Sequence, residues 1–362
     1  MKGQNVYNFK NSDEYLKEIV PKIIDERKKS GLEGLVKGLE FVIINTEEEM
    51  HKETVNELLN ITGLEYKETF EDDEFITSVL KSDDAPDFLI RYRKGKNPFM
   101  KQNIFPKTKH LPNIRLETFV FRTDNIGKYV SIQKERGIDF MTGDVIHKDG
   151  YSFIQTQPSK YTGNSIGFVE WHNKKSYSSS EDNFLKWNFP PKKDYLRNVK
   201  ELDHSATRVR AGDRDNAIIE FMELTNYNFD FAIYVKIFNS ITNVARLSSK
   251  DFAMVFTSGI SPYVNDEISG PTEKFIHNYG TRVHHIAFRT EKIEDTFYNL
   301  KKDGMNFLIE LVGSKKEGIK QTFSFPSKNT LLVNEYIQRY DDFDGFFTPG
   351  NVTLLTESTE KQ

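Results

Sequence analysis

The second half of the sequence carries two histidines at corresponding places of an internal repeat, followed by one acid in an apolar stretch. The segments LDHSATRV and VHHIAFRT align with His204 on His285 and Ala206 on Ala287. Glu335 lies in LLVNEYIQR, where a buried carboxylate is costly unless it is paired or bound to a metal. Two histidines and one carboxylate suit one face of an octahedral ferrous ion, leaving positions for a chelating substrate and O2. The sequence therefore predicts a metal site at His204, His285 and Glu335.

Ordinary structural roles compete with this interpretation. Taken alone, Glu335 is equally consistent with an outward-facing acid paired with Lys or Arg. Glu170 also aligns with Glu335 when Asn164 is placed on Asn329, so an acid here partly reflects the repeat. The histidines expected to be satisfied core or surface side chains are His51, His110, His147, His172 and His277. A metal site is favoured over these structural roles because Glu335 accompanies two histidines at equivalent positions of the repeat.

His284 directly precedes His285 in the same predicted strand. Neighbouring strand residues point to opposite faces, so both rings face one site only if the strand contains a bulge. Because the repeat alignment selects His285 as the ligand, His284 is expected on the opposite face or at the edge of the pocket.

The elements that position these side chains recur along the chain. Residues 121–140 align without a gap with residues 288–307, and residues 36–41 align with residues 199–204. Each unit begins with a β-prone segment, continues with apolar residues at helical spacing and reaches a Gly or Asn turn. The repeats therefore predict four strand-helix-strand modules arranged as two paired halves.

The modules also predict domain limits. Two domains are expected, with a linker that is polar and contains two adjacent prolines. The limits are 1–172 for the first domain with modules at about 36–95 and 112–172, 173–198 for the linker, and 199–362 for the second domain with modules at about 199–259 and 281–340. Because Phe41 and Thr118 align with the two histidines, the first domain is expected to hold no metal.

Four further segments carry local expectations. Residues 12–29 show helical spacing with Ser12 as the N-cap, and residues 351–362 are expected to be helical. Residues 260–279 are expected to be irregular and to shape a pocket mouth. Residues 305–311 are expected to form a strand.

Composition limits the classes of partner. The 362 residues, 37% of them hydrophobic, are enough for two cores, and the absence of cysteine excludes disulfides and thiolate metal sites. A net charge of −4 with interspersed signs gives no reason to expect nucleic acid. No apolar run reaches the length of a membrane span, and the N-terminus lacks the order of a signal peptide. We expect a cytoplasmic protein with no nucleic-acid or membrane partner.

Modules headed by LDH and VHHIAF and closed by NEYIQR resemble the vicinal oxygen chelate superfamily. More closely, they resemble the family of 4-hydroxyphenylpyruvate dioxygenase and 4-hydroxymandelate synthase, most strongly over residues 199–351. The resemblance implies an α+β fold of four βαβββ modules paired into two open barrels, with an N-terminal helix and a short C-terminal lid segment. It also implies that Fe(II) is the cofactor and that His204, His285 and Glu335 bind it.

The resemblance assigns four further residues to the active site. Gln321 and Phe323 in IKQTFSF match the family's pocket strand. Phe347 and Asn351 in GFFTPGN match the segment before its lid helix.

Two of the family's substrate-contacting segments are absent from the sequence. VFTSGISPYVNDE stands where the family has Asn-Glu-Pro, and SGPTEKFI stands where it has Ser-Gln-Ile. The metal chemistry is therefore expected to match the family, whereas the far end of the substrate, near Thr242, Ser258 and Thr272, is expected to differ.

The function implied is an Fe(II)-dependent dioxygenase that oxidatively decarboxylates and hydroxylates one 2-oxo acid with O2. The small-molecule substrate is expected to be aromatic. The alternatives are a 4-hydroxymandelate synthase-like enzyme, an extradiol-type dioxygenase that chelates a diol, and a non-catalytic ligand-binding homologue. The oligomeric state is open, with a homo-oligomer among the alternatives.

Overall fold

Two mixed β-sheets organise the chain, one from each half of the sequence. The computed structural model describes residues 9–83, 86–172, 175–341, 343 and 345–362. The strands of the first sheet are β1 (Val36–Asn45), β2 (Glu65–Glu71), β3 (Phe75–Lys81), β4 (Asp87–Arg93), β5 (Arg115–Thr123), β6 (Ile146–His147), β7 (Tyr151–Gln155), β8 (Ser165–Trp171) and β9 (Asn183–Phe184). Those of the second are β10 (Val199–Arg208), β11 (Asn228–Val235), β12 (Ser240–Arg246), β13 (Ala253–Gly259), β14 (Arg282–Thr290), β15 (Val312–Ser314), β16 (Ile319–Phe323) and β17 (Val333–Arg339).

Seven α-helices accompany the strands in the described part of the chain. They are α1 (Glu14–Ser30), α2 (His51–Ile61), α3 (Ile126–Glu135), α4 (Arg214–Leu224), α5 (Pro271–Tyr279), α6 (Ile293–Lys302) and α7 (Pro349–Ser358). Among the residues described, none of these helices has the length and apolar character needed to cross a bilayer.

The two sheets repeat one topology. The first has the order β6-β7-β8-β5-β1-β4-β3-β2-β9, and the second has the order β11-β12-β13-β10-β14-β17-β16-β15. Read in opposite directions the orders match strand for strand, with β9 added to the first sheet. In each half an antiparallel central pair, β1–β5 or β10–β14, is flanked by parallel pairs. The four modules predicted from the repeats are confirmed, and each has the βαβββ order that the resemblance implies.

The largest hydrophobic core contains residues from both halves. Phe88 of β4 stacks on Phe288 of β14 with ring centroids 5.9 Å apart, and Phe121 of β5 lies 5.8 Å from Phe221 of α4. Smaller apolar clusters, one of them around Phe41, lie apart from this shared core. The predicted domain limits stay a prediction, and β9, which lies inside the predicted linker, pairs with β2 of the first sheet.

Arg27 fastens α1 to the second half of the chain. Its buried guanidinium donates hydrogen bonds to the main-chain oxygens of Thr225 at 3.1 Å, Tyr227 at 2.9 Å and Met222 at 3.3 Å. It also donates to Oδ1 of Asn228 at 2.5 Å. These oxygens lie in the last turn of α4 and in the turn into β11, where helix carbonyls lack partners of their own.

Three local expectations were wrong in part. Residues 271–279 form α5 rather than an irregular loop, because Pro271 occupies the first helical turn, where its missing N–H costs nothing. Residues 305–311 contribute only one bridge, from Phe307 to Ser324, and the strand begins at Val312. Helix α1 begins one residue later than expected, with Asp13 rather than Ser12 as its N-cap.

We predict that Arg27→Met lowers the free energy of unfolding by about 2–4 kcal/mol, because buried carbonyls lose their donor. The midpoint of urea unfolding, followed by circular dichroism, measures this change. Lys22→Met is the matched control, since Lys22 lies on the same helix in an exposed pair with Glu18 and should change stability by less than about 0.5 kcal/mol. Equal midpoints for the two variants would contradict the role of Arg27 in holding α1 against the second half of the chain.

Candidate metal centre

His204, His285 and Glu335 meet inside the second sheet. Nε2 of His204 lies 3.0 Å from Oε2 of Glu335, and Nε2 of His285 lies 3.4 Å from the same oxygen. One ligand atom from each residue fits within 4.8 Å of the other two. The side chains are 0%, 8% and 1% exposed, respectively. Among the described residues, this is the group whose histidine and carboxylate atoms lie close enough together to hold a metal ion.

The register of three adjacent strands brings these residues together. On β14, Ala287 is the register partner of His204 on β10 and of Glu335 on β17. The small Ala287 side chain thus lies between the histidine and the acid. His285 precedes Ala287 by two residues, so its side chain points to the same face of β14.

Asp203 fixes the orientation of the His204 ring. Its Oδ1 lies 2.8 Å from Nδ1 of His204, and Arg339 forms an ion pair with the same carboxylate. Burial alone would raise the pKa of Asp203, but Arg339 and His204 lower it to about 2. An ionised Asp203 accepts a hydrogen bond from the N–H at Nδ1 of His204, so Nε2 is the ring nitrogen that faces Glu335 and His285.

Nε2 of His204 is a buried polar atom without a hydrogen-bond partner. It is near Oε2 of Glu335 but not aligned for a hydrogen bond. Burial opposes charge on His204, yet the carboxylates of Glu335 and Asp203 outweigh it and raise its pKa to about 9. The cluster therefore attracts positive charge, as a cation site does.

Gln321 and Asn351 lie behind Glu335. Nε2 of Gln321 donates to Oε1 of Glu335 at 2.6 Å, and Nδ2 of Asn351 donates to Oε1 of Gln321 at 3.0 Å. Because Gln321 engages Oε1, the other oxygen of Glu335 is left facing the histidines. Neither amide is among the residues that line the adjacent cavity. Gln321 thus contacts Glu335 directly, and Asn351 connects this pair to α7.

A β-bulge turns His284 to the same side as His285. In the pairing of β10 with β14, Ala206 opposes His285 and Thr207 opposes Val283, so His284 is the extra residue. Of the two placements expected for His284, the opposite face is wrong, whereas the edge of the pocket agrees with its place in the cavity wall. Nδ1 of His284 lies 2.9 Å from Nδ1 of His285, and its Nε2 lies 3.0 Å from Oε1 of Gln362.

Low pKa values keep both His284 and His285 neutral. Burial contributes most to holding the pKa of His284 well below its usual range, and the charge of Arg208 adds to this effect. Burial and the neighbouring His284 and His204 do the same for His285.

A cavity of about 50 Å³ opens beside the cluster. His285 and Glu335 form part of its wall, and Phe323 and Phe347 flank it. The Phe323 ring centroid lies 4.8 Å from that of His285, and the Phe347 centroid lies 5.2 Å from that of His204. Residues of and after α7 that cover the cavity are Val352, Leu355, Thr356 and Thr359. The predicted C-terminal lid segment is thus a helix that closes the site.

Comparison with solved structures identifies the architecture. A triple mutant of 4-hydroxymandelate synthase from Streptomyces coelicolor superposes with a TM-score of 0.67 at 13% identity, over 90% of this chain and 98% of that one. The chain has the fold of 4-hydroxymandelate synthase. A fusion of a xylose isomerase-like TIM barrel with 4-hydroxyphenylpyruvate dioxygenase gives a TM-score of 0.60 at 14% identity, over 90% of this chain and 53% of that one. A scan of protein-family models and a search of curated proteins find no match to the sequence.

In this 4-hydroxymandelate synthase fold the two sheets carry different residues at equivalent positions. The registers of the first sheet place Phe41 at the position of His204, Thr118 at that of His285 and Gly167 at that of Glu335. The alignment of Glu170 with Glu335 was therefore wrong by three residues. Glu170 accepts a hydrogen bond from the main-chain N of Ile126 at 2.8 Å, as Gln338 does from Ile293 at 2.8 Å.

Most histidines predicted to have structural roles contact serine or tyrosine side chains. Nε2 of His51 lies 3.1 Å from Oγ of Ser78, and His277 stacks on Tyr263. His147 and His172 both contact Ser152 at 2.9 Å.

Sequence reasoning missed Asp203, Arg339 and Arg208. Asp203 is adjacent to His204 in the chain, and strand alternation suggests that it points away from the site. Arg208 follows His204 by four residues, an even spacing that places both on one face of β10, and it lines the cavity. That spacing was the available signal for Arg208.

We predict that Gly167→Ala destabilises the protein by about 1–3 kcal/mol through overpacking. An added Cβ would lie 2.9 Å from Cγ2 of Val120 and 3.1 Å from Cε2 of Phe153. Gly212→Ala is the control, because a Cβ there meets nothing within 4 Å. Thermal unfolding of both variants measures the difference, and an unchanged midpoint for Gly167→Ala would show that the first sheet has room for a side chain here.

Proposed function

We propose that the chain is a non-haem Fe(II) dioxygenase that acts on a 2-oxo acid. The observation that carries this proposal is that His204, His285 and Glu335 lie together, buried, beside a cavity that α7 covers. Two neutral imidazoles and one carboxylate are the donor set of non-haem ferrous oxygenases, which leave ligand positions for substrate and O2. The unpartnered Nε2 of His204 fits this role, because a bound cation would satisfy it.

The surrounding residues would prepare these donors. Asp203 holds the proton of His204 on Nδ1 and leaves Nε2 free to bind. For His285 to bind through Nε2, its Nδ1 must carry a proton and donate it to Nδ1 of His284. His284 then carries its own proton on Nε2 and donates it to Oε1 of Gln362, which matches the observed contacts. Gln321 and Asn351 would keep Oε2 of Glu335 aimed at the ion.

Bound Fe(II) would supply the one-electron chemistry that joins O2 to a chelated 2-oxo acid. In the overall reaction, a 2-oxo acid and one O2 give CO2 and a hydroxylated acid that is one carbon shorter. One oxygen atom enters the new carboxylate and the other forms the hydroxyl group. Phe323, Phe347 and α7 would exclude water from the reacting end of the substrate.

The fold comparison supports this proposal without carrying it. The matched structures are named for 4-hydroxymandelate synthase and 4-hydroxyphenylpyruvate dioxygenase, and the identities of 13% and 14% speak to fold alone. The functional argument rests on the donor set and on the cavity beside it.

We predict a graded effect of histidine substitutions on iron binding. His285→Ala should lose stoichiometric iron, because it removes a ligand. His284→Ala should retain iron with about 10- to 100-fold weaker affinity, because it removes only the partner that orients His285. His277→Ala is the control and should bind iron as the parent chain does. Metal content after anaerobic ferrous loading and gel filtration, together with titration of a competing chelator, measures this order.

Two outcomes of this experiment would contradict the proposals. If His284→Ala loses iron while His285→Ala keeps it, His284 is the ligand and the assignment from the repeat is wrong. If the parent chain itself retains no iron, the proposed function is wrong.

We predict that the iron-loaded full-length chain consumes O2 when given a 2-oxo acid and releases one CO2 per O2. An oxygen electrode with parallel CO2 trapping measures this stoichiometry. Glu335→Gln, which removes a charge with little change in shape, should abolish the uptake.

Catechols supplied in place of 2-oxo acids separate the extradiol alternative, since ring cleavage consumes O2 without releasing CO2. Iron binding without O2 uptake on either class of compound would instead favour a non-catalytic ligand-binding protein.

A further inference from the structure

One cationic side chain faces the cavity without an anionic partner. Arg208 is 4% exposed and lines the cavity. Its one hydrogen bond among the described residues goes from Nη1 to the main-chain oxygen of Pro271 at 3.2 Å, and the guanidinium lies 4.5 Å from the ring centroid of Phe275. No carboxylate in the described ranges lies within ion-pair distance of it. Five N–H donors are thus matched with one acceptor and one aromatic face.

The other deeply buried arginines have structural partners. Arg214 pairs with Asp13 and Asp215, and Arg27 donates to four oxygens. Arg282 donates to Oδ1 of Asn103 and to the main-chain oxygen of Ile114. A buried guanidinium is costly unless its N–H groups find acceptors, and Arg208 has fewer than these three arginines, so it has donors available for a partner from outside the chain.

The residues beside Arg208 are hydroxyl donors. Thr257 on β13 is the register partner of Arg208 on β10 and of Thr242 on β12, so the three form one row across the sheet. All three line the cavity, and Oγ1 of Thr257 is buried without a hydrogen-bond partner. A guanidinium and two hydroxyls in a row offer the donors that a carboxylate accepts.

This row is set apart from the metal cluster along the strand. His204 and Arg208 are four residues apart on β10, and both belong to the cavity side of the sheet. Arg208, His285 and Glu335 line the same cavity. A ligand chelated at the cluster would therefore extend its far end toward Arg208.

We propose that Arg208, with Thr242 and Thr257, binds a second carboxylate on the substrate, so that the substrate is a 2-oxo dicarboxylic acid. This inference rests on the proposed function, because the 2-oxo end is the group placed at the metal cluster. It adds a distal carboxylate to the 2-oxo acid expected from the resemblance.

The test compares acids of equal length that differ in the distal group. Isothermal titration calorimetry on the anaerobic, iron-loaded full-length chain would measure the dissociation constants of 2-oxoglutarate and 2-oxopentanoate. We expect the diacid to bind roughly 10- to 100-fold more tightly, as hydrogen bonds to a charged group imply. Arg208→Gln should reduce this preference to near unity and leave iron content and the affinity for 2-oxopentanoate unchanged. Arg289→Gln is the control, since Arg289 forms an exposed pair with Glu201.

The outcomes separate this inference from the proposed function. Equal affinity of the parent chain for both acids would overturn the role of Arg208 while leaving the dioxygenase proposal intact, and this comparison needs no variant. An equal loss of affinity for both acids in Arg208→Gln would mean that Arg208 binds the shared 2-oxo carboxylate, which also overturns the inference. Tighter binding of 4-hydroxyphenylpyruvate than of either aliphatic acid would do the same. Failure of the parent chain to bind iron or any 2-oxo acid would instead reject the proposed function.

Discussion

The burial of the Glu335 carboxylate is the constraint on which the site depends. A charge with 1% exposure must be satisfied on both oxygens, and each oxygen recruits a different part of the chain. Oε1 accepts from Gln321, whose own oxygen accepts from Asn351 in the first turn of α7. The helix that covers the cavity is therefore connected to the acid beneath it. Oε2 is left with the two imidazoles, and a cation there satisfies all three groups at once.

Much of this arrangement could be predicted, because strand registers follow from the repeat. Placing His204 and His285 at equivalent positions required only the alignment of two modules, and the antiparallel pairing of β10 with β14 then put them on one face. The bulge at His284 could not be predicted in this way, since it arises from pairing between strands and leaves no local pattern. The residue of the first half that corresponds to Glu335 was also misplaced. Aligning Asn164 with Asn329 selected Glu170, three residues beyond the true equivalent, Gly167. Local signals also misled at Pro271, because a proline breaks a helix in its interior and favours its first turn.

The two halves of the chain show how one topology supports a polar site in one sheet and packing in the other. The ion pair of Asp203 with Arg339 is matched in the first sheet by a hydrogen bond from Nε1 of Trp171 to Glu40 at 2.9 Å. At the centre, Phe41 replaces His204 and packs edge-on against Tyr177. The first sheet thus keeps the outer polar contact and fills the inner position with aromatic groups, which need no counter-charge.

This division of roles makes the second sheet dependent on the first. Buried polar groups such as His204, Glu335 and Arg208 add little to the stability of the sheet that carries them, because their desolvation offsets their interactions. The apolar contacts that hold β10 and β14 in register come largely from the core shared by both halves, where Phe88 packs on Phe288. Arg27 adds a polar connection from the N-terminal helix to the turn between α4 and β11. The half without the cluster therefore contributes much of the apolar packing that holds the strands of the polar site in place. The cost of burying Arg208 is tolerated because this packing, rather than Arg208, stabilises the surrounding strands.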